Sequence, residues 1–146
     1  MPIDPTSDPE GYQRQVEKIR TSYEERKAAA SAEKGLIAVF TGTGKGKSTA
    51  AFGMALRAVQ HGMKVGVVQY VKGAIATAEP DAFARFGDRV EWHRLGEGFH
   101  WLTQDAELDR RAAAQAWVVS QQFLARPDVG LVVLDELIVA LRLNQL

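Results

Sequence analysis

The chain has 146 residues, and Lys+Arg and Asp+Glu both number 18, so its formal net charge is zero. That length fits one domain with a real core, and the balance argues against a protein held on nucleic acid by backbone electrostatics. Cysteine is absent, which excludes disulfides, thiolate metal sites, iron–sulfur clusters and cysteine nucleophiles.

Met1 to Pro9 is rich in proline and acid and reads as a disordered lead-in. It lacks the basic-then-apolar pattern of a secretion signal, and no apolar run approaches membrane-spanning length. A soluble cytoplasmic protein is the expectation, with neither nucleic acid nor membrane as a partner. From Glu10 to about Glu33 the composition turns helical and charged, with Tyr12, Val16, Ile19 and Tyr23 on one face. So thin an apolar stripe does not support a helix in isolation. It belongs either to a partly frayed surface helix or to an arm that docks, for instance on a second copy of the chain.

Leu36-Ile37-Ala38-Val39-Phe40 reads as a buried strand, and Ala50-Ala51-Phe52 opens a helix. Between them lies Thr41-Gly42-Thr43-Gly44-Lys45-Gly46-Lys47-Ser48-Thr49. A strand, a glycine-rich turn and a helix are the context a phosphate-binding loop requires. The glycines let backbone N–H groups converge on an anion, and the helix adds its own unpaired donors and positive dipole end. Lys47 would reach the outer phosphates, and the Ser48 hydroxyl would sit on Mg²⁺. The fit to G-x-x-x-x-G-K-[ST] is incomplete, since Thr41 occupies the first glycine position and Gly42 comes one residue late.

Ala50 to Gln60 reads as a helix stopped by His61-Gly62, and Lys64 to Tyr70 as a second strand. A connection through Val71-Lys72-Gly73 leads to Pro80 and a short helical piece around Asp81 to Phe86. Val90 to Leu95 is a third strand, and Gly96-Glu97-Gly98-Phe99-His100-Trp101 a loop rich in glycine and aromatics. Asp105 to about Ala125 is a long helix with Thr103 as its N-cap. Pro127 breaks it, and Gly130 to Leu134 is a fourth strand delivering Asp135-Glu136. Trp92 and Trp117 read as core; His93 and His100 read as packing or solvent-facing rather than as ligands.

Strands alternating with helices, apolar on both faces, imply an α/β fold with a parallel sheet between helical layers. Ligands of such sheets sit at the carboxyl ends of the strands, where the phosphate loop, the Gly96–Trp101 loop and Asp135-Glu136 all fall. Two carboxylates beside a phosphate loop are hard oxygen donors for Mg²⁺ on a polyphosphate. They do not choose a reaction.

Taken together, four stretches resemble the corrinoid adenosyltransferases that act on cob(I)alamin and cob(I)yrinic acid a,c-diamide. They are Thr41 to Gly53; Arg57-Ala58-Val59 with His61-Gly62 and Val65 to Gly73; Gly96 to Trp101; and Leu134-Asp135-Glu136-Leu137. The resemblance implies a three-layer, mainly parallel sheet of the RecA-like phosphate-loop NTPase type over residues 34–146. A lead-in and charged helical arm over residues 1–33 would precede it. It further implies transfer of the 5′-deoxyadenosyl group of ATP to Co(I), with triphosphate released. Thr41, Gly42, Thr43, Gly44, Lys45, Gly46, Lys47, Ser48 and Thr49 would hold the nucleotide, with Arg57 and Lys72 lining the pocket. Mg²⁺ (or Mn²⁺) would be held by Ser48, Asp135 and Glu136, with Glu136 the direct carboxylate ligand. Phe99 and Trp101 would lie beneath the corrin and exclude its lower axial ligand, and Lys47 would stabilise the leaving triphosphate.

The same resemblance implies a homodimer that exchanges its N-terminal arm and a flavoprotein reductant that supplies Co(I). The family pattern continues through at least one more strand and helix than this sequence holds, and those would complete the sheet. Two other readings remain: a RecA-like ATP hydrolase in which Glu136 activates water, and a non-catalytic ATP- or corrinoid-binding module. The Gly96–Trp101 motif has no evident use in the hydrolase.

Overall fold

In the computed structural model, which describes residues 6–71, 77–96 and 105–146, the chain divides into two compact units, Met1–Val39 and Phe40–Leu146. In the first, helix α1 spans Pro9–Ala29. Asp8 caps it, its carboxylate accepting the Gly11 N–H at 2.8 Å, and Pro9 supplies a preset φ in the first turn. Its start therefore falls one residue earlier than the composition suggests. Tyr12, Val16, Ile19 and Tyr23 are 42–61% exposed, so the apolar stripe is real and uncovered.

Residues 30–39 form no regular element, and the strand expected at Leu36–Phe40 is not one. Leu36 and Ile37 are 81% and 92% exposed. A short apolar run takes up strand geometry only where a neighbouring strand accepts its hydrogen bonds, and the described sheet does not include this segment.

The second unit is a three-stranded parallel sheet between helices. Helix α2 covers Lys47–Gln60, strand β1 Lys64–Gln69 and helix α3 Glu79–Ala84. A 3₁₀ turn at Gly87–Arg89 leads into strand β2, Val90–Arg94. Helix α4 spans Ala106–Ala125, strand β3 Val129–Asp135 and helix α5 Leu137–Arg142. Strand order is β2-β1-β3, with β1 in the middle and both pairings parallel. Among the described residues no helix is long and apolar enough to cross a membrane.

β1 explains the layering. Val65 and Val67 face one way, into a core built with Phe52, Ala55 and Val59 of α2, Phe83 of α3 and Val133 of β3. Val68 and Tyr70 face the other way, against Ala113, Ala116 and Phe123 of α4 and Ala140 of α5. Successive strand residues alternate faces, so an unbroken apolar run demands helices on both. Burying each of these valines contributes about 1.5–3 kcal/mol. Phe123 reaches the sheet because position 66 is glycine: a Cβ there would lie 2.6 Å from the ring. The Tyr70 and Ser120 hydroxyls meet at 2.7 Å inside this core, and Ser120 donates onward to the Ala116 carbonyl. Tyr70 is therefore the donor of the pair, and burial pushes its phenol pKa up.

Two local expectations change. The N-cap of α4 is Asp105, whose carboxylate accepts the N–H groups of Glu107 and Leu108 at 3.0 Å; Thr103 lies outside the described residues. Trp117 is 37% exposed rather than core, because the buried face of α4 runs through Ala112, Ala113, Ala116, Ser120 and Phe123 and position 117 lies at its edge. His93 packs as expected, its ring edge-on to Phe123 at 5.5 Å.

At the amino ends of the strands, Arg126 bridges Glu91 at 2.7 Å and Asp128 at 2.9 Å, and Lys64 reaches Asp128 at 3.2 Å. The Arg126 and Lys64 hydrogen bonds hold the Asp128 carboxyl well below the usual carboxylate range.

Candidate functional site

The loop between Phe40 and α2 turns at Gly42 (φ +119°) and Gly46 (φ +100°), conformations that side chains rarely allow. Gly46 ends the loop and α2 begins at once with Lys47, three residues before the sequence pattern places it. The Lys47 ammonium folds back and donates to the carbonyls of Gly42 at 2.8 Å and Gly44 at 2.6 Å. Thr41, Thr43, Lys45 and Thr49 are exposed around it.

Ser48, one residue into the helix, donates its hydroxyl to Asp135 Oδ1 at 2.8 Å, joining positions 87 residues apart. This bond ties the first turn of α2 to the carboxyl end of β3. Asp135 is 7% exposed, and its second oxygen accepts the Gln69 amide Nε2 at 3.0 Å. Gln69 in turn accepts the Trp92 indole N–H on Oε1 at 3.0 Å. The backbone repeats the same order: the Tyr70 N–H donates to the Asp135 carbonyl, and the Leu95 N–H to the Gln69 carbonyl. Glu136, half-buried, sits at φ +65° and forms the N-cap position of α5.

The structure thus brings together Gly42, Gly44, Gly46, Lys47, Ser48 and Asp135, with Glu136 next in the chain. Arg57 is not brought to the loop. It is exposed in the last turn of α2, ten residues past Lys47, or about 15 Å along the axis. Lys72, Phe99, His100 and Trp101 lie outside the described residues.

Two participants escape the sequence reading. Gln69 closes an otherwise apolar strand and is only 1% exposed. Its signal was available: a polar side chain ending a doubly buried strand must find a partner there. Trp92 packs as expected on Phe52 and Phe83, ring centroids 5.0 and 5.3 Å away. Its indole N–H has a polar task as well.

Residues 33–146 match the model of a family described as ATP:corrinoid adenosyltransferase BtuR/CobO/CobP. A corrinoid adenosyltransferase of Pseudomonas aeruginosa is 52% identical over 131 residues, covering 90% of this chain and 64% of that protein. Corrinoid adenosyltransferase CobA of Salmonella typhimurium is 45% identical over 128 residues, covering 88% and 64%. A corrinoid adenosyltransferase of Escherichia coli K12 is 44% identical with the same coverage. The chain therefore spans 64% of the length of each of these relatives.

Proposed function

We propose that this chain, which belongs to the ATP:corrinoid adenosyltransferase family, transfers the 5′-deoxyadenosyl group of ATP to the Co(I) centre of a corrinoid. The Co–C5′ bond would form with the cobalt electron pair as the C5′–O bond breaks. Triphosphate would leave with the other pair, and cobalt would end as Co(III). The family match carries the choice of reaction, and the Ser48–Asp135 hydrogen bond supports it by bringing a carboxylate and a hydroxyl beside a lysine-bearing glycine loop.

Such a transfer needs no base to activate water. It needs fixed positive charge along a leaving group, supplied before the reaction so that nothing reorganises as charge develops. The Lys47 ammonium would exchange the Gly42 and Gly44 carbonyls for phosphate oxygens. The loop amides and the N-terminus of α2 would add theirs, and Lys45 would add its charge along the triphosphate.

The donor set suits a hard cation. Among the described residues no group of three or more His, Cys, Asp or Glu side chains could hold a metal by itself. Ser48, Asp135 and Glu136 offer the one or two carboxylates and single hydroxyl that Mg²⁺ or Mn²⁺ accepts when phosphates complete its shell. Ser48 and Glu136 would bind it directly, with Asp135 orienting Ser48, and the metal would neutralise triphosphate charge. Phe99 and Trp101 would cover the lower face of the corrin and exclude an axial ligand. A second copy would close the site with its α1 arm, and a flavoprotein would supply the electron that makes Co(I).

Anaerobic incubation with ATP, Mg²⁺ and chemically reduced cob(I)alamin tests the reading. Adenosylated corrinoid with intact triphosphate is expected. ADP and phosphate with the corrinoid unchanged would overturn it in favour of hydrolysis by way of Glu136.

A further inference from the structure

We infer that Gln69, its amide locked by the Trp92 indole, is a positioning residue that orients the Asp135 carboxylate toward Ser48 and so supports Ser48 as a cation ligand. The inference rests on the proposed role of Ser48 and Asp135 in holding the metal–nucleotide.

The indole nitrogen can only donate. Its 3.0 Å contact therefore fixes which end of the Gln69 amide faces Trp92, namely the carbonyl oxygen. The NH₂ group must then face Asp135 and be accepted by Oδ2. Asp135 is left to accept at its other oxygen, and Ser48 donates there. The direction of the Gln69–Asp135 bond follows from the first, while Ser48 donates to Asp135 because a carboxylate has no proton to give; what Gln69 fixes is where that carboxylate points. With its proton directed at Asp135, the Ser48 hydroxyl turns lone pairs, not hydrogen, toward a cation. Reversing the Gln69 amide would set donor against donor at Trp92.

The relay crosses the sheet from β2 through central β1 to β3 and on to α2. Gln69 and Asp135 are partners in register. At 1% exposure Gln69 cannot exchange its bonds for water. The relay also closes on itself. Trp92 stacks on Phe52, and Phe52 lies four residues after Ser48, one turn along the same helix. Aromatic packing on one side and hydrogen bonds on the other hold the same end of α2 against the same three strand ends.

Two variants of the full chain test this, Trp92→Phe and Gln69→Leu. Trp92→Phe keeps a stacking ring and removes the N–H, so it remains informative where Gln69→Leu fails to fold. ATP binding is measured without corrinoid, by calorimetry, against Mg²⁺ concentration and again in EDTA. The expected result is a half-saturating Mg²⁺ concentration raised roughly 10–100-fold, the scale for loss of a partner behind a metal ligand, with metal-free ATP binding unchanged. In the wild-type chain the ¹⁵N-indole resonance of Trp92, assigned by its loss in Trp92→Phe, is expected to shift on adding Mg²⁺·ATP. In Gln69→Leu that shift is expected to vanish. An unchanged Mg²⁺ midpoint in folded variants, beside a wild type that binds ATP in a Mg²⁺-dependent way, overturns the positioning role alone. A wild type whose ATP binding ignores Mg²⁺, and is unaltered by Ser48→Ala, overturns the site reading and this inference with it.

Discussion

Asp135→Asn should separate folding from metal handling, and the reason lies in hydrogen-bond polarity. Asp135 accepts from Ser48 Oγ at 2.8 Å and from Gln69 Nε2 at 3.0 Å. Asparagine keeps the shape but offers one acceptor and one donor. Because Trp92 fixes the Gln69 NH₂ toward position 135, the new carbonyl must face Gln69 and the new NH₂ must face Ser48. Ser48 can accept there, so both of these bonds survive. Two charge-assisted bonds become neutral ones, a loss of about 1 kcal/mol each, partly offset because a charge no longer has to be buried. The net change should stay within about 1 kcal/mol, or about 2–4 °C in Tm. Asp135→Ala, in contrast, leaves the Gln69 donor buried without a partner and should cost about 1–3 kcal/mol for that group, with the cost of the cavity in addition. Functionally the order reverses. In Asp135→Asn the Ser48 proton is displaced from its carboxylate and faces the cation, so the Mg²⁺ midpoint for ATP binding should rise roughly 10–100-fold. Urea denaturation and calorimetric Mg²⁺ titration of the same samples read both quantities. An Asp135→Asn variant as unstable as Asp135→Ala, or one with the wild-type Mg²⁺ midpoint, would refute the polarity argument.

Gly66→Ala should destabilise through Phe123. Its Cβ would stand 2.6–2.8 Å from three ring atoms, against 3.4–4 Å for ordinary contact. The cost should be about 1–3 kcal/mol, seen as a lower Tm by circular dichroism and partly recovered with Phe123→Leu; an unchanged Tm would contradict it. Asp128→Asn should lose stability only where the carboxylate is charged. The folded pKa lies below the ordinary 3.8, so the wild type's advantage is present above that pH and fades as pH falls below it. A gap in urea midpoint that stays constant from pH 6 to strong acid would remove the argument. A chain starting at Ala32 should sediment as a monomer and lose on the order of 10²-fold in corrinoid adenosylation, the scale lost when a closing segment no longer positions substrate. Full activity would dismiss the arm.

Much of the sheet could be read directly because its strands are apolar on both faces, and only burial between helices accounts for Val65, Val67 and Val68 together. The glycine-rich turn was equally legible, since glycine at positions 42 and 46 answers a backbone requirement that the φ values display. Leu36–Phe40 misled because composition reports a wish for burial and not a pairing partner. Trp92 and Trp117 look alike in sequence, and only the rotation of α4 and the register of β2 tell them apart. Gln69 was missed for a different reason. A single polar residue carries no periodicity, and its partners lie 23 and 66 residues away.

The ionic cluster around Arg126 and the relay around Asp135 occupy opposite ends of the same strands. Five residue steps along β1 separate Lys64 from Gln69, about 17 Å of extended chain. Among the described residues Lys64 and Asp128 share no hydrogen-bond partner with Gln69, and across that length they should act on stability additively with it, whereas Glu91 is the chain neighbour of Trp92. The molecule thus has a foot that can be strengthened without retuning its head. A substitution that tightens the Lys64–Asp128–Arg126 contacts could restore the stability lost by a variant at Gln69 or Asp135 while leaving its effect on the proposed cation site in plain view.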